Sequence, residues 1–209
     1  MREIIGIGAF WLWAVSAQAH PHVFVDVGLQ FHTDDAGRLT AIEVSWTYDE
    51  FYTLLLLEDH GFDPDADGHL TPDERDALIG FDLADWPDWF EGGVFLFNGE
   101  GRITPGDPEA LDLVLHDGRL RTRHVRPIVP VSPVDLIIRA YDPSYYAALT
   151  LEMVEGLPGS CTQEVIRHDP DAAAAQIAGQ FGDISEAAFD EARVGIYYAD
   201  TLAVSCAGS

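Results

Sequence analysis

Alternating apolar and polar positions open the folded part of this sequence. Every second residue from 23 to 31 is apolar, as in a strand with one face buried. A turn-forming Asp-Asp-Ala-Gly stretch follows at 34–37, and residues 39–46 are again rich in apolar side chains. The pattern predicts two strands joined by a short turn. The apolar positions of the first are Val23, Val25, Val27, Leu29 and Phe31.

The period then becomes helical. Residues 48–60 have a broad apolar face, formed by Phe51, Tyr52, Leu54, Leu55 and Leu57. A second helix is predicted to begin at Thr71, with Pro72 in its first turn, and to end before Gly80. Together these signals predict a helix–loop–helix insertion at about 48–80.

The rest of the chain is predominantly of strand type. Residues 81–91 are aromatic and acidic, and they predict an irregular segment or a short helix. Helices are expected at 171–180 and 185–193. The fold class is therefore α+β: an antiparallel sheet or sandwich core with an inserted EF-hand-like helix–loop–helix and C-terminal helices. Residues 20–209 would form one domain. Further strands are predicted at 94–97, 110–116, 120–127, 134–141, 145–153, 161–167 and 201–206.

The loop inside the insertion fits the spacing D-x-D-x-D-G, five further residues, then Glu. In this spacing, carboxylates, one backbone carbonyl and a closing bidentate Glu surround one Ca²⁺ ion. His69 would contribute its carbonyl rather than its imidazole. The predicted calcium ligands are Asp63, Asp65, Asp67, His69, Thr71 and Glu74.

A simpler interpretation of the same loop needs no metal. Thr71 and Glu74 also match a capping box, in which the Glu side chain bonds a backbone N–H at the helix start. The three aspartates repel one another unless a cation lies among them. The crowded carboxylates therefore favour calcium over the metal-free turn.

The first nineteen residues have the features of a secretory signal. Arg2 precedes an apolar run at 4–15, and Ala-Gln-Ala at 17–19 is a cleavage signal. Cleavage would release an exported, periplasmic protein beginning at His20. An uncleaved membrane anchor is the alternative, although the run is short for a permanent span. No later stretch is long enough to span a membrane.

A net charge of −25 excludes nucleic acid and anionic lipid as natural partners. It suits cations or basic partners. The 47% hydrophobic and 11% aromatic content is sufficient for a packed core, so the chain is not a disordered acidic tail.

Cys161 and Cys206 are the only cysteines. A pair in an exported protein predicts a disulfide. A dithiolate metal site is the alternative, but no C-x-x-C spacing supports it.

The predicted mature terminus offers a second candidate metal site. His20 and His22 lie on alternate residues of an extended segment, with Asp26 and Asp49 as candidate partners. Imidazole suits Zn²⁺, Ni²⁺, Co²⁺ or Cu²⁺. Pro21 excludes a square-planar site that requires the second amide nitrogen. The alternatives are solvated histidines and an Asp49 that serves the helix terminus.

Three motifs are similar to a known family. They are His-Pro-His-Val-Phe-Val-Asp at 20–26, Trp-Thr-Tyr-Asp-Glu-Phe-Tyr at 46–52 and Tyr-Asp-Pro-Ser-Tyr-Tyr at 141–146. With the acidic loop, the chain resembles uncharacterised exported proteins labelled periplasmic components of ABC-type transport systems. These are often encoded beside nickel/cobalt-type permeases. The resemblance implies a periplasmic accessory to transition-metal transport, with a membrane permease or exporter as its partner.

The expected function is therefore that of a divalent-metal-binding transport accessory with a structural calcium loop. Two alternatives remain: a protein-binding module that binds calcium only, and a copper- or zinc-dependent enzyme. The sequence has no G-x-S-x-G, no H-E-x-x-H and no nucleophilic cysteine context, so an enzyme is not expected. Single histidines elsewhere are expected to be structural: His116, His124 and His168.

Overall fold

Two five-stranded sheets form the scaffold of the protein. In this computed structural model the described residues are 21–63, 65–87, 89–182, 184–185 and 187–207. The predicted signal segment and His20 lie outside them. The strands are β1 (Val23–Thr33), β2 (Leu39–Tyr48), β3 (Val94–Asn98), β4 (Gly101–Ile103), β5 (Glu109–His116), β6 (Arg119–Val131), β7 (Ile137–Ala140), β8 (Ala147–Glu155), β9 (Cys161–Ile166) and β10 (Asp200–Cys206).

The first sheet has the strand order β5-β6-β2-β1-β8, and the second has the order β4-β3-β7-β10-β9. Neighbouring strands are antiparallel except β1 and β8, which run parallel. The pairing of β1 with β8 shifts register between Val27 and Gly28. A residue with a side chain would clash at position 28, because its Cβ atom would lie 2.4 Å from the Ser45 hydroxyl oxygen.

One hydrophobic core joins the two sheets. It combines Val27 and Ile42 of the first sheet with Leu96, Ile138 and Leu202 of the second, all fully buried. All the alternate apolar positions predicted for β1 are buried, as a strand with one face on the core requires. The β-rich α+β sandwich expected from the apolar pattern is therefore present.

The predicted helical insertion is present as α1 (Glu50–His60) and α2 (Pro72–Leu78). Helix α1 starts at Glu50 rather than at the predicted residue 48, because Tyr48 is the last residue of β2. The backbone N–H of Leu120 donates a hydrogen bond to the buried Thr53 hydroxyl, which ties α1 to β6. Leu57 of α1 and Leu78 of α2 are buried in the main core.

Two predicted strands are shorter than expected. Within the predicted strand 134–141, the observed strand is Ile137–Ala140. The strand predicted from 145 begins at Ala147, because Tyr145 has a φ of 59° within the turn that follows Asp142. The short β4 was not predicted.

The C-terminal part contains the two expected helices, α3 (Pro170–Phe181) and α4 (Ala187–Ala192). The side chain of Asp169 caps α3 by accepting the Asp171 and Ala172 N–H groups. A second, smaller hydrophobic cluster joins this region, formed by Ala173, Ile177, Phe189, Val194 and Tyr198. Within the described ranges, no helix has the length and apolar character needed to cross a bilayer.

Candidate metal-binding loop and aromatic pocket

The acidic loop brings three carboxylates together between α1 and α2. One side-chain oxygen each from Asp63, Asp65 and Asp67 lies within 4.8 Å of the other two. In the part of the chain that the structure describes, this is the one group of three or more His, Cys, Asp or Glu residues with such spacing. The loop spacing therefore converges three anionic oxygens, as the sequence predicts.

Backbone hydrogen bonds hold this loop in its turn. The two carboxylate oxygens of Asp63 accept the N–H groups of Asp67 at 3.1 Å and Gly68 at 3.2 Å. The Asp67 carboxylate accepts the N–H of His69 at 2.8 Å. Gly68 has a φ of 77°, a conformation in which glycine carries no steric penalty. The loop is thus bent around the side chain of its first aspartate.

The capping box is present as well. Glu74 accepts the Thr71 N–H at 2.8 Å and the Thr71 hydroxyl at 2.7 Å through one oxygen. Its other oxygen accepts the Asp63 N–H at 2.9 Å. The Glu74 N–H donates to the Thr71 hydroxyl oxygen. The bonds from Thr71, followed by that from Asp63, lower the pKa of Glu74, so its carboxylate remains ionised.

These residues fit a hard cation in their chemistry. Ca²⁺ takes six to eight oxygen ligands, and the loop supplies three clustered carboxylates with a fourth, Glu74, bonded to the first loop residue. The structure places Glu74 in the cap rather than in the aspartate group. The capping box of the metal-free interpretation is therefore present, and the calcium site stays a prediction. Closing a calcium shell would require Glu74 to exchange its cap hydrogen bonds for the ion.

The candidate transition-metal residues have other contacts. Asp26 forms an ion pair with Arg119 at 2.8 Å. Asp49 caps α1 by accepting the Tyr52 N–H at 2.9 Å, and its second oxygen accepts the Phe24 N–H at 2.8 Å. These are the roles of a helix cap and a surface ion pair.

His22 is not among the partners of Asp26 or Asp49 described above. Its imidazole is exposed, and its ring centroid lies 5.0 Å from that of Tyr146. The described residues do not bring His22 into a three-ligand group with Asp26 and Asp49. His20 lies outside the described ranges, so the terminal metal site stays a prediction.

The predicted disulfide is present. Cys161 and Cys206 are bonded, and they occupy directly paired positions of β9 and β10 with their Cα atoms 3.9 Å apart. The alternative of a dithiolate metal site is therefore wrong.

A cavity of about 580 Å³ opens beside the first sheet. Its walls come from β1, β2, α1, the segment 81–90, the turn at 142–146 and the start of β8. This volume falls in the range of small-molecule sites. Eight of its sixteen lining residues are aromatic: Trp46, Tyr48, Tyr52, Phe81, Trp86, Trp89, Phe90 and Tyr146.

Asp82 is a partly buried carboxylate in this wall. Its Oδ2 accepts hydrogen bonds from the Tyr48 hydroxyl at 3.0 Å and from the Thr122 hydroxyl. Burial raises the pKa of Asp82, and burial also raises the pKa of the Tyr48 phenol. The indole N–H of Trp86 donates to the Asp82 carbonyl at 2.7 Å, which fixes this irregular segment in place.

His124 is fully buried behind the same wall. Its ring contacts Trp46 edge-on at a centroid distance of 4.9 Å and lies 6.2 Å from Trp86. Neither imidazole nitrogen, nor the indole nitrogen of Trp46, has a hydrogen-bond partner among the described residues. Burial, followed by the nearby Arg126 charge, lowers the pKa of His124 to about 4.

The three sequence motifs that carry the family resemblance meet at this pocket. The motif at 20–26 contributes β1 residues, that at 46–52 contributes β2 and α1 residues, and that at 141–146 contributes the turn. Sequence reasoning missed the pocket. The one available signal was the density of aromatic residues in the segment 81–91, whose path could not be predicted.

The chain belongs to the family described as "Protein of unknown function (DUF1007)", which matches residues 6–206. No curated protein is significantly similar to it. Among solved structures, acetylcholine-binding protein type 1 of Biomphalaria glabrata is 11% identical, with 92% of this chain and 88% of that chain covered. The TM-score is 0.35, which is too low to indicate a shared fold.

Proposed function

We propose that this family member is a periplasmic accessory of a divalent-metal transport system, with a structural calcium site at residues 63–74. The observation that carries the calcium site is the convergence of Asp63, Asp65 and Asp67 within 4.8 Å. The predicted signal segment, the disulfide and a net charge of −25 support an exported protein that attracts cations.

The calcium ion would stabilise the insertion rather than act as a graded sensor. The loop is a single hand, and both flanking helices are packed on the core through Leu57 and Leu78. Exported calcium modules bind at about 0.1–1 mM. At a tenfold excess of calcium over Kd, mass action adds about 1.4 kcal/mol to the free energy of unfolding.

The test is the melting temperature with calcium and with chelator, for wild type and Glu74→Gln. Glutamine can keep the bond to the Thr71 N–H through its one carbonyl oxygen. It lacks the acceptor for the Asp63 N–H, the charge and the bidentate closure. We expect the variant to melt somewhat lower than wild type in chelator, because the Asp63 N–H loses its acceptor, and to lose most of the calcium-dependent rise. Asp73→Asn is the matched control, because it removes one exposed charge from the same helical turn.

A wild type without a calcium-dependent rise would overturn the calcium site and leave the loop as a capped turn. If Glu74→Gln kept the full rise, Glu74 would be a helix cap and not a ligand.

The transport role rests on the terminal imidazoles and the family resemblance. His22 is exposed. His20, the predicted first residue of the mature protein, would add its terminal amine and a second imidazole. Elemental analysis after chelation and reloading with Zn²⁺, Ni²⁺ or Cu²⁺ tests this role on protein processed at His20. A His20→Ala, His22→Ala double variant is expected to lose that metal while retaining the calcium-dependent melting rise. Unchanged affinity for all three metals would remove the transport proposal and leave calcium untouched.

One observation favours a protein-binding module with calcium only. The outer face of α1 exposes Phe51 (66% exposed), Leu54 (58%) and Leu55 (41%). Apolar side chains exposed together on one helix are typical of protein interaction surfaces. This candidate is favoured if the mature protein retains calcium but no transition metal.

A further inference from the structure

The aromatic pocket is not used by either proposed metal site. It is about 580 Å³ in volume, and its lining combines aromatic rings with two carboxylates. We infer that this pocket binds a small organic cation of the alkylated-ammonium class. The inference rests on the lining residues alone, and it is independent of the proposed metal-binding function.

Aromatic side chains form the walls on several sides. Trp46 and Tyr48 come from β2, Tyr52 from α1, Trp86 from the irregular segment and Tyr146 from the turn before β8. Aromatic faces attract cations through the ring quadrupole, and the attraction is strongest where the cation is desolvated. Several rings from separate elements around one cavity provide this environment.

The charges of the lining select the sign of the ligand. Asp82 and Asp142 are the charged residues that line the pocket, and neither Arg nor His is among its described lining residues. Asp142 is engaged by the turn, since it accepts hydrogen bonds from Ser144 and Ala147. The described side-chain bonds to Asp82 both reach Oδ2. Asp82 is therefore the counter-ion for a bound cation.

The apolar walls select the kind of cation. A metal ion or a primary ammonium would lose strong hydration here and gain few oxygen ligands in return. An alkylated ammonium ion is weakly hydrated, and its methyl groups pack against rings while its charge is neutralised by one carboxylate. The two pocket carboxylates form no three-residue metal group, unlike the aspartates of the acidic loop.

Two rings of the lining already have an arginine over them. The guanidinium of Arg193 lies 3.8 Å from the ring centroid of Trp89, and that of Arg126 lies 5.8 Å from that of Trp86. Neither arginine lines the cavity. Arg126 donates to the carbonyls of Gly106 and Glu91, which hold its charge outside the pocket.

Tryptophan fluorescence provides a direct measurement. Trp46, Trp86 and Trp89 all line the pocket, and the remaining two of the five tryptophans lie in the predicted signal segment. The mature protein is titrated with choline and with 3,3-dimethyl-1-butanol, its uncharged isostere. We expect a saturable change with choline and at least tenfold weaker binding of the alcohol. Equal binding of both, or no saturable change with choline, would overturn the inference.

Two variants test the residues. Asp82→Asn retains a hydrogen-bond acceptor but loses the charge, and it should weaken choline binding at least tenfold while leaving the alcohol unchanged. Tyr52→Leu keeps an apolar side chain without a ring, and it should weaken choline selectively. Asp85→Asn removes the same charge three residues away, outside the pocket lining, and should bind choline as wild type does. An equal loss in Asp82→Asn and Asp85→Asn would overturn the assigned counter-ion role, as would unchanged affinity in both.

The same ammonium chemistry occurs in free ions and in lipid headgroups. Co-sedimentation with phosphatidylcholine vesicles, displaced by free choline, would assign the headgroup as the source. Fluorescence binding of choline without co-sedimentation would assign a free small molecule. Both outcomes support the cation site.

Discussion

At the scale of single residues, His124 makes the stability of the protein depend on pH. Its pKa is about 4 in the folded protein because burial excludes the charged form, whereas an unfolded histidine titrates near 6.5. The unfolded chain therefore binds more protons between these values, and the free energy of unfolding falls as the pH is lowered through this range. The accumulated loss is about 3 kcal/mol by this linkage.

Replacing His124 with leucine should remove this contribution. The variant is expected to lose about 3 kcal/mol less than wild type between pH 7 and pH 4, as measured by urea unfolding at each pH. It should be at least as stable at pH 7, because both buried nitrogens lack partners in the described structure. His116→Gln, at an exposed site, should retain the wild-type slope. An unchanged slope in the leucine variant would contradict the buried neutral state.

At the scale of elements, Asp49 connects α1 to β1. Its carboxylate accepts the N–H groups of both Tyr52 and Phe24. Asp49→Ala should destabilise the protein by about 1–2 kcal/mol, whereas Asp49→Asn, a good N-cap, should retain most of the stability. Urea unfolding checks both. If Asp49→Asn lost stability like the alanine variant, the charge rather than the cap would matter. If it lost zinc or nickel affinity, Asp49 would also be a ligand.

The elements that could be predicted from the sequence are those whose pattern lies within one short stretch of the chain. The alternation of β1, the Thr71–Pro72 helix start and the acidic loop are local patterns, and each is present in the structure. The parallel pairing of β1 with β8 depends on residues more than a hundred positions apart, and no local pattern encodes it. The pocket was missed for the same reason. Asp82 meets Tyr48 and Thr122 only because an irregular segment folds across the first sheet.

At the scale of the whole molecule, the disulfide connects positions 45 residues apart. Closing a loop of this length lowers the entropy of the unfolded chain and contributes about 4 kcal/mol in the chain-entropy model. A Cys161→Ser, Cys206→Ser double variant is expected to lose roughly that amount in urea unfolding. Reduced wild type should match the variant, since the same bond is absent. A variant as stable as the oxidised protein would show that the disulfide does not stabilise the fold by restricting the unfolded chain.

The position of this bridge also bears on self-association. β9 is the last strand of the second sheet and pairs only with β10 among the described strands. A terminal strand that detaches exposes the unpaired backbone of its neighbour, which can then pair with another chain. The bond between Cys161 and Cys206 fastens β9 to β10 at one end of their ladder. If the chain is exported as proposed, this edge is secured by hydrogen bonds alone in the reducing compartment where the chain is made. Oxidation after export would then prevent β9 from detaching and exchanging between molecules.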